Sequence, residues 1–99
     1  GKGSEGGGNE ASEVESAKLT EALAALTNGD TARAIELARP LGKLTRAWRI
    51  IGAASCQIKD TRQATEAYRH LDPPGRQYLQ YVCMRYGVLR EGNSFRLGE

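Results

Sequence analysis

The stretch that decides the fold is residues 46–73, which read RAWRIIGAASCQIKDTRQATEAYRHLDP. Its first half carries apolar and small residues at steps of three and four, the spacing of one face of an α-helix. The polar pair Lys59-Asp60 interrupts this pattern, and a second helical segment follows from Thr61 to Leu71. Because the link is so short, the two helices are predicted to pack antiparallel. The face of the first helix consists of Ala47, Trp48, Ile51, Ala54, Ser55 and Ile58.

An earlier part of the chain repeats this arrangement. Shifting the sequence by 30 positions aligns residues 30–39 with residues 60–69, and both read D-T-x-x-A-x-E-x-x-R. A helical pattern that ends at Asn28-Gly29 precedes the first copy. An internal repeat of this period is typical of proteins that stack one helix–turn–helix unit. The apolar positions of the earliest helix are Val14, Ala17, Leu19, Ala22, Leu23 and Leu26.

Residues 76–86 add half of a further unit. Their apolar residues recur at helical spacing until Gly87, and they follow the strong turn sequence Asp72-Pro73-Pro74-Gly75. Tyr78 lies thirty positions after Trp48, but no partner helix follows. No stretch shows the sustained two-residue alternation, bounded by hairpin turns, that predicts strands. The sequence therefore predicts an all-α chain with about five helices.

The stretch at 46–73 resembles a tetratricopeptide repeat (TPR), because an aromatic residue, a small residue and a second aromatic residue occur in register. Pro73 arrives about three residues earlier than in the usual unit, and the first copy has Lys18 in place of the aromatic residue. The resemblance implies TPR-like antiparallel helix pairs, two and a half repeats in all, forming a short right-handed solenoid. The matching residues are Trp48, Ile51-Gly52, Ala64 and Tyr68.

The end of the pattern, R-x-Y-L-x-Y-V-C-x-R-x-G-V at 76–88, is similar to degenerate repeats in the tails of some bacterial serine/threonine kinases and related signalling proteins. The TPR-like domain is predicted to span residues 13–89. Residues 1–12 are rich in glycine and poor in apolar surface, which predicts a disordered linker or a non-native remnant. Residues 90–99 are predicted to form a flexible tail.

The resemblance also implies a binding surface, since the first helix of each TPR-like pair lines a concave groove. An apolar groove with an arginine rim suits a protein or peptide with apolar anchors and acidic flanks, because arginine grips carboxylates with paired hydrogen bonds. The alternative is that the arginines form an ordinary solvated face. The groove positions are Leu19, Leu23, Leu26, Arg46, Arg49, Ala53, Gln57, Arg76, Leu79 and Tyr86, with Ser16, Cys56 and Cys83 beside them.

Two further functions compete with this adaptor or scaffold role. Residues 33–90 contain 11 Lys and Arg against 4 Asp and Glu, whereas residues 1–32 contain 2 against 6. A basic domain can bind nucleic acid, but no helix-turn-helix, finger or RNA-binding signature supports that function, so nucleic acid is not the expected partner. The other alternative is structural: the repeats form one end of a longer solenoid, and residues 76–86 cap it or mediate self-association.

Residues with catalytic or metal-binding potential are sparse. His70 is the only histidine, and Cys56 and Cys83 form no C-x-x-C pair, so they are predicted to be buried free thiols. No glycine-rich phosphate loop or nucleophile motif is present. We therefore predict no catalytic, cofactor-binding or metal-binding residues and no enzymatic activity. Without an apolar run of about 20 residues, no membrane partner is expected. The predicted location is cytoplasmic, with a periplasmic domain of a larger membrane protein as the alternative.

Overall fold

The computed structural model describes residues 11–98 and is mainly helical. The described elements are α1 (Glu13–Thr27), α2 (Thr31–Ala38) with a 3₁₀ turn (Arg39–Leu41), α3 (Thr45–Gln57), α4 (Thr61–Arg69), α5 (Pro73–Arg85), β1 (Val88–Glu91) and β2 (Ser94–Leu97). The predicted linker at 1–12 lies largely outside the described residues. Its last residue, Ser12, caps α1 with a reciprocal capping box to Glu15.

Aspartate side chains start three of the helices. Asp30, Asp60 and Asp72 each accept the backbone N–H of the residue three positions later, which satisfies a donor that the helix itself leaves open. The predicted turn at Asp72-Pro73-Pro74-Gly75 is thus the beginning of α5, because proline is well tolerated in the first helical turn. Helix α3 begins at Thr45, and its N-cap residue, Leu44, makes no side-chain capping hydrogen bond.

The thirty-residue repeat is present in the backbone. Asp30 donates its N–H to the carbonyl of Ala25, and Asp60 donates to that of Ser55, both at 2.8 Å. The residues before these aspartates, Gly29 and Lys59, both have positive φ angles, of 83° and 60°. The two units therefore turn in the same way.

The third unit follows at a shorter interval than the sequence indicated. Gly87, with φ 78°, ends α5 as Lys59 ends α3, and the two residues are 28 positions apart. Tyr78 consequently occupies the place of Ile50, and the predicted equivalence with Trp48 is wrong. The Lys59 ammonium donates a hydrogen bond to the Tyr86 carbonyl at the end of α5, so it also tethers the second unit to the third.

Helix α3 is the centre of the molecule, in contact with α1, α2, α4 and α5. Gly52 permits a close approach of α5 to α3, since a Cβ there would lie 2.7 Å from Leu79 Cδ1. By contrast, Val14, Ala17 and Leu23 of the predicted apolar face of α1 are exposed. The buried side chains form one cluster whose largest fully buried members are Ile51, Leu79, Val88, Cys56, Cys83 and Ser55.

The prediction of a mainly helical fold is confirmed, but a β-hairpin adds a small two-stranded sheet and replaces the flexible tail expected at residues 90–99. Strands β1 and β2 pair antiparallel, with Glu91 opposite Ser94. Phe95 is only 6% exposed; its ring meets the edge of Tyr68 at 5.5 Å, and its N–H donates to Thr65 Oγ1 at 3.0 Å. Each strand has only four residues, too few to produce a clear alternation, and the hairpin is stabilised by its contact with α4.

The cysteines are buried as predicted but are not free thiols. Cys56 of α3 and Cys83 of α5 form a disulfide, with Cα atoms 5.1 Å apart, and no free cysteine remains within residues 11–98. Twenty-seven residues separate them in sequence, so their pairing depends on the close packing of α3 against α5 at Gly52. That approach is a tertiary feature, which cysteine spacing alone does not reveal.

Candidate functional site

Helices α1, α3 and α5 together line a surface groove of about 280 Å³. Four of the ten predicted groove residues meet there: Leu19, Leu23, Arg46 and Arg49. The groove also contains three residues that the sequence-based prediction missed, namely Thr20, Ile50 and Tyr78.

The three missed residues occupy the same position in successive units. Thr20 precedes Ile50 by 30 residues, and Tyr78 follows Ile50 by 28, the interval that separates Lys59 from Gly87. The thirty-residue shift in the sequence already identifies Thr20 and Ile50 as equivalent positions. Placing Tyr78 with them required the shorter interval that the structure revealed.

The other predicted groove residues lie elsewhere. Leu26, Ala53 and Leu79 are buried in the core, with 8%, 2% and 0% of their surfaces exposed. Gln57 is half-buried at the end of α3, and Tyr86 follows the last residue of α5.

Arg76, also predicted to line the groove, faces α4 instead. Its Nε donates to the Tyr68 carbonyl at 3.0 Å, and its guanidinium lies 5.0 Å from the centre of the Tyr68 ring. The predicted site therefore contracts to the N-terminal half of α3 with the facing parts of α1 and α5.

The two groove arginines differ in how firmly they are held. Arg49 lies 3.8 Å from the Asp72 carboxylate and 5.9 Å from the centre of the Tyr78 ring. Its Nε is buried and has no hydrogen-bond partner among residues 11–98. Arg46 is exposed, and none of its nitrogens lies within 4.0 Å of a carboxylate in the described part of the chain.

These contacts give the groove two chemical parts. Leu23 offers exposed aliphatic surface, while Leu19 and Ile50 line the groove but are almost fully buried. Arg46 and Arg49 supply positive charge beside these aliphatic side chains. Arg46 in particular can form a paired hydrogen bond to a carboxylate without first breaking an ion pair to the described residues. The arrangement can hold an aliphatic group next to an acidic one.

A second depression, of about 370 Å³, is lined by charged side chains and Gln63, and two of the charged side chains form an ion pair. The two Arg39 guanidinium nitrogens donate to the Glu66 carboxylate at 2.7 and 3.3 Å. These hydrogen bonds hold the pKa of Glu66 below its usual range and raise the pKa of Arg39. Arg39 also lies 5.5 Å from the centre of the Trp48 ring, so it fastens the end of the first unit to the second. The lining consists of Arg39, Asp60, Arg62, Gln63, Glu66 and Arg69.

His70 is the C-cap residue of α4, and its ring stacks on Trp48 with centroids 4.1 Å apart. Within residues 11–98, no group of three or more His, Cys, Asp and Glu side chains is placed to hold a metal ion. None of the helices described for these residues has the length and apolar character needed to cross a membrane.

Comparison with protein-family models, with curated proteins and with solved structures found no match to this chain. The function is therefore inferred from the geometry of the groove and from the repeat.

Proposed function

We propose that this chain is a non-enzymatic protein–protein interaction module of TPR-like architecture, which binds a peptide in the groove between α1, α3 and α5. Helices α1, α3 and α5 are the first helices of the three units, and each contacts the next. Helices α2 and α4 are second helices, and each packs against the first helix of its own unit and against that of the following unit. This order of contacts supports a stacked arrangement. The matching turns at Gly29 and Lys59 support repetition of one unit.

The groove itself is the observation that carries this proposal. Three helices contribute one equivalent residue each, Thr20, Ile50 and Tyr78, so the surface depends on the stack and not on a single helix. Concave sites with apolar walls and a few polar groups are the usual form of recognition surfaces. Repeat stacks use such surfaces to bind extended partners.

The chemistry of the lining favours a peptide with an aliphatic side chain next to an acidic residue. Leu23 is 52% exposed and gains burial when an aliphatic group covers it. Arg46 then pairs with the neighbouring carboxylate, which gives the peptide an orientation. Leu23 and Ala53 stand where carboxylate-clamping TPR domains carry paired asparagine and lysine, so a free peptide C-terminus is not the proposed ligand.

A place in bacterial signalling is part of the proposal and rests on the likeness of residues 76–88 to kinase-associated repeats. The Cys56–Cys83 disulfide bears on the location. Disulfides persist in oxidising compartments and are rare in the cytosol. The bond therefore favours the periplasmic alternative over the cytoplasmic location that the sequence first indicated.

A displayed library of random peptides tests the binding proposal. Selection against the wild-type chain should enrich sequences in which an aliphatic residue adjoins Asp or Glu. Arg46→Glu reverses the charge of an exposed groove residue and should weaken the enriched peptides about tenfold or more, equivalent to about 1.4 kcal/mol. The matched control is Arg62→Glu, which changes an exposed residue of α4 outside the groove. This variant should bind the peptides as wild type does.

Equal weakening by both variants would indicate that general positive charge, and not the groove, attracts the peptides. Binding that falls steeply with salt and shows no preference for aliphatic residues would favour the polyanion alternative. Either result contradicts the proposed site.

A further inference from the structure

Helix α5 presents a second interaction surface, distinct from the groove. Gln77, Gln80, Tyr81 and Met84 line a shallow depression of about 240 Å³. Tyr81 is 60% exposed and Met84 is 53% exposed. Large apolar side chains grouped on one exposed helix face are a common mark of a protein contact.

The repeat register indicates what kind of element fits this face. Residues of α5 correspond to residues of α3 that lie 28 positions earlier, as Gly87 corresponds to Lys59. Counting back by this interval, the equivalents of the four depression residues are Arg49, Gly52, Ala53 and Cys56.

This face of α3 is the one on which α5 packs. Gly52 lies under Leu79, and Cys56 is bonded to Cys83. The depression on α5, which we call the forward face, is therefore the position at which a further first helix would continue the stack.

The opposite end of the molecule offers such a helix. Leu79 lies on the face of α5 that packs against the preceding first helix, α3, which we call the backward face. In the repeat register it corresponds to Ile51, 28 residues earlier, and to Glu21, a further 30 residues earlier. Ile51 is fully buried, whereas the Glu21 side chain is 58% exposed. The backward face of α1 therefore has no cover among the described residues, and it consists of Val14, Ala17, Glu21 and Ala24, all exposed.

We propose that the forward face of α5 binds the backward face of α1 from a second copy of this chain, head to tail. The sizes are complementary, because the alanines of α1 leave room for Tyr81 and Met84. The charges are complementary too. The register in which Leu79 lies on Gly52 puts Glu21 opposite Gln80. The Gln80 amide oxygen accepts a hydrogen bond from Arg90 Nε at 2.9 Å, so an arginine lies beside this position. Glu21 itself has one ion pair among the described residues, an exposed one to Arg33 at 3.5 Å.

When two chains bind head to tail, one chain keeps a free forward face and the other keeps a free backward face. Each free face can bind a further chain, so association continues beyond a dimer. The wild-type chain should therefore increase in average mass as its concentration rises from micromolar to millimolar, and added salt should weaken this association because exposed charges are screened. Sedimentation equilibrium measures both effects.

Two variants block the two faces separately. Ala17→Arg places a long basic side chain on the backward face, and Met84→Glu places a carboxylate on the forward face, one helical turn from Gln80. Both sites are exposed, so circular dichroism should show an unchanged helix content. Each variant alone should be monomeric, with association weakened about tenfold or more.

Mixing the two variants is the decisive measurement. The Ala17→Arg chain retains its forward face and the Met84→Glu chain retains its backward face, so an equimolar mixture should form a 1:1 dimer and grow no further. Arg46→Glu, which alters only the groove, should associate as wild type does, and this separates self-association from peptide binding.

Three results would overturn the proposal. A wild-type chain that stays monomeric at millimolar concentration would show that a second copy does not occupy the face, which would leave it to another protein or to a further segment of a longer chain. An Ala17→Arg variant that associates as strongly as wild type and stops at a dimer would indicate a two-fold contact between α5 helices. A mixture that remains monomeric would exclude the head-to-tail contact.

Discussion

The first and second units share a backbone turn but differ in how deeply their first helices are buried. Nine of the thirteen residues of α3 are buried, against four of the fifteen residues of α1. At equivalent positions thirty residues apart, Val14 is 67% exposed and Leu44 is 3% exposed. Glu21 is likewise exposed where Ile51 is fully buried.

Neighbours account for this difference. Helix α3 contacts helices on both sides, whereas the main contacts of α1 among the described elements are with α2 and α3. The side chains agree with these surroundings, since the exposed position carries a charge and the buried one carries isoleucine. The two units therefore share a backbone turn, and the helices that surround each unit determine which of its faces must be apolar.

The test with the largest expected effect on stability removes the side chain at the same position in each unit. Ile51→Ala deletes a fully buried side chain and should lower the free energy of unfolding by about 2–5 kcal/mol. Glu21→Ala removes an exposed side chain with one weak ion pair and should change it by about 0.5 kcal/mol or less. Urea denaturation followed by circular dichroism measures both.

Similar losses in the two variants would contradict the comparison, because they would mean that α1 is buried as deeply as α3 in solution. A refolded Ile51→Ala chain must show helical dichroism before denaturation begins. If it does not, Ile51→Val supplies the smaller deletion, with an expected loss of about 0.5–1.5 kcal/mol.

The second test concerns the disulfide, for which the first unit has no counterpart. Replacing both Cys56 and Cys83 by alanine removes a link that closes 27 residues of sequence and should cost about 2–4 kcal/mol of stability. Reducing agent should destabilise the wild-type chain to a similar extent and leave the double variant unchanged. Two free thiols in air-oxidised folded protein, measured by alkylation and mass spectrometry, would contradict the bond.

Most of the helical part of this structure was predictable from sequence, because its signals are local. Asp30 and Asp60 cap their helices where the repeated pattern begins, and the turns at Gly29 and Lys59 fall at its interruptions. These features depend on residues within a few positions of each other, so they can be predicted from one sequence without knowledge of the fold.

What escaped prediction depends on contacts between distant residues. Cys56 and Cys83 meet because α5 approaches α3 at Gly52, and the hairpin forms where Phe95 packs against Tyr68. The groove was half predicted for the same reason. Arg46 and Arg49 follow from the repeat, but the place of Tyr78 depends on the shorter spacing of the third unit.

The test with the smallest expected effect on stability compares Glu66 with its equivalent in the first unit, Glu36. Glu66 accepts two hydrogen bonds from Arg39, which lower its pKa, whereas exposed Glu36 has no ion pair within the described residues. A carboxylate whose pKa is lower in the folded state stabilises the protein above its unfolded pKa. That stability is lost as the pH falls through the folded value.

Glu66→Gln should therefore be less stable than wild type at neutral pH, by about 0.2–1 kcal/mol because the pair is partly exposed. This difference should shrink as the pH falls from about 5 and vanish once the wild-type carboxyl is protonated. Glu36→Gln is the matched control and should be as stable as wild type at neutral pH. Urea midpoints measured across this range test the pair, and a deficit of Glu66→Gln that persists in acid would mean that Glu66 stabilises the second unit through packing and not through its charge.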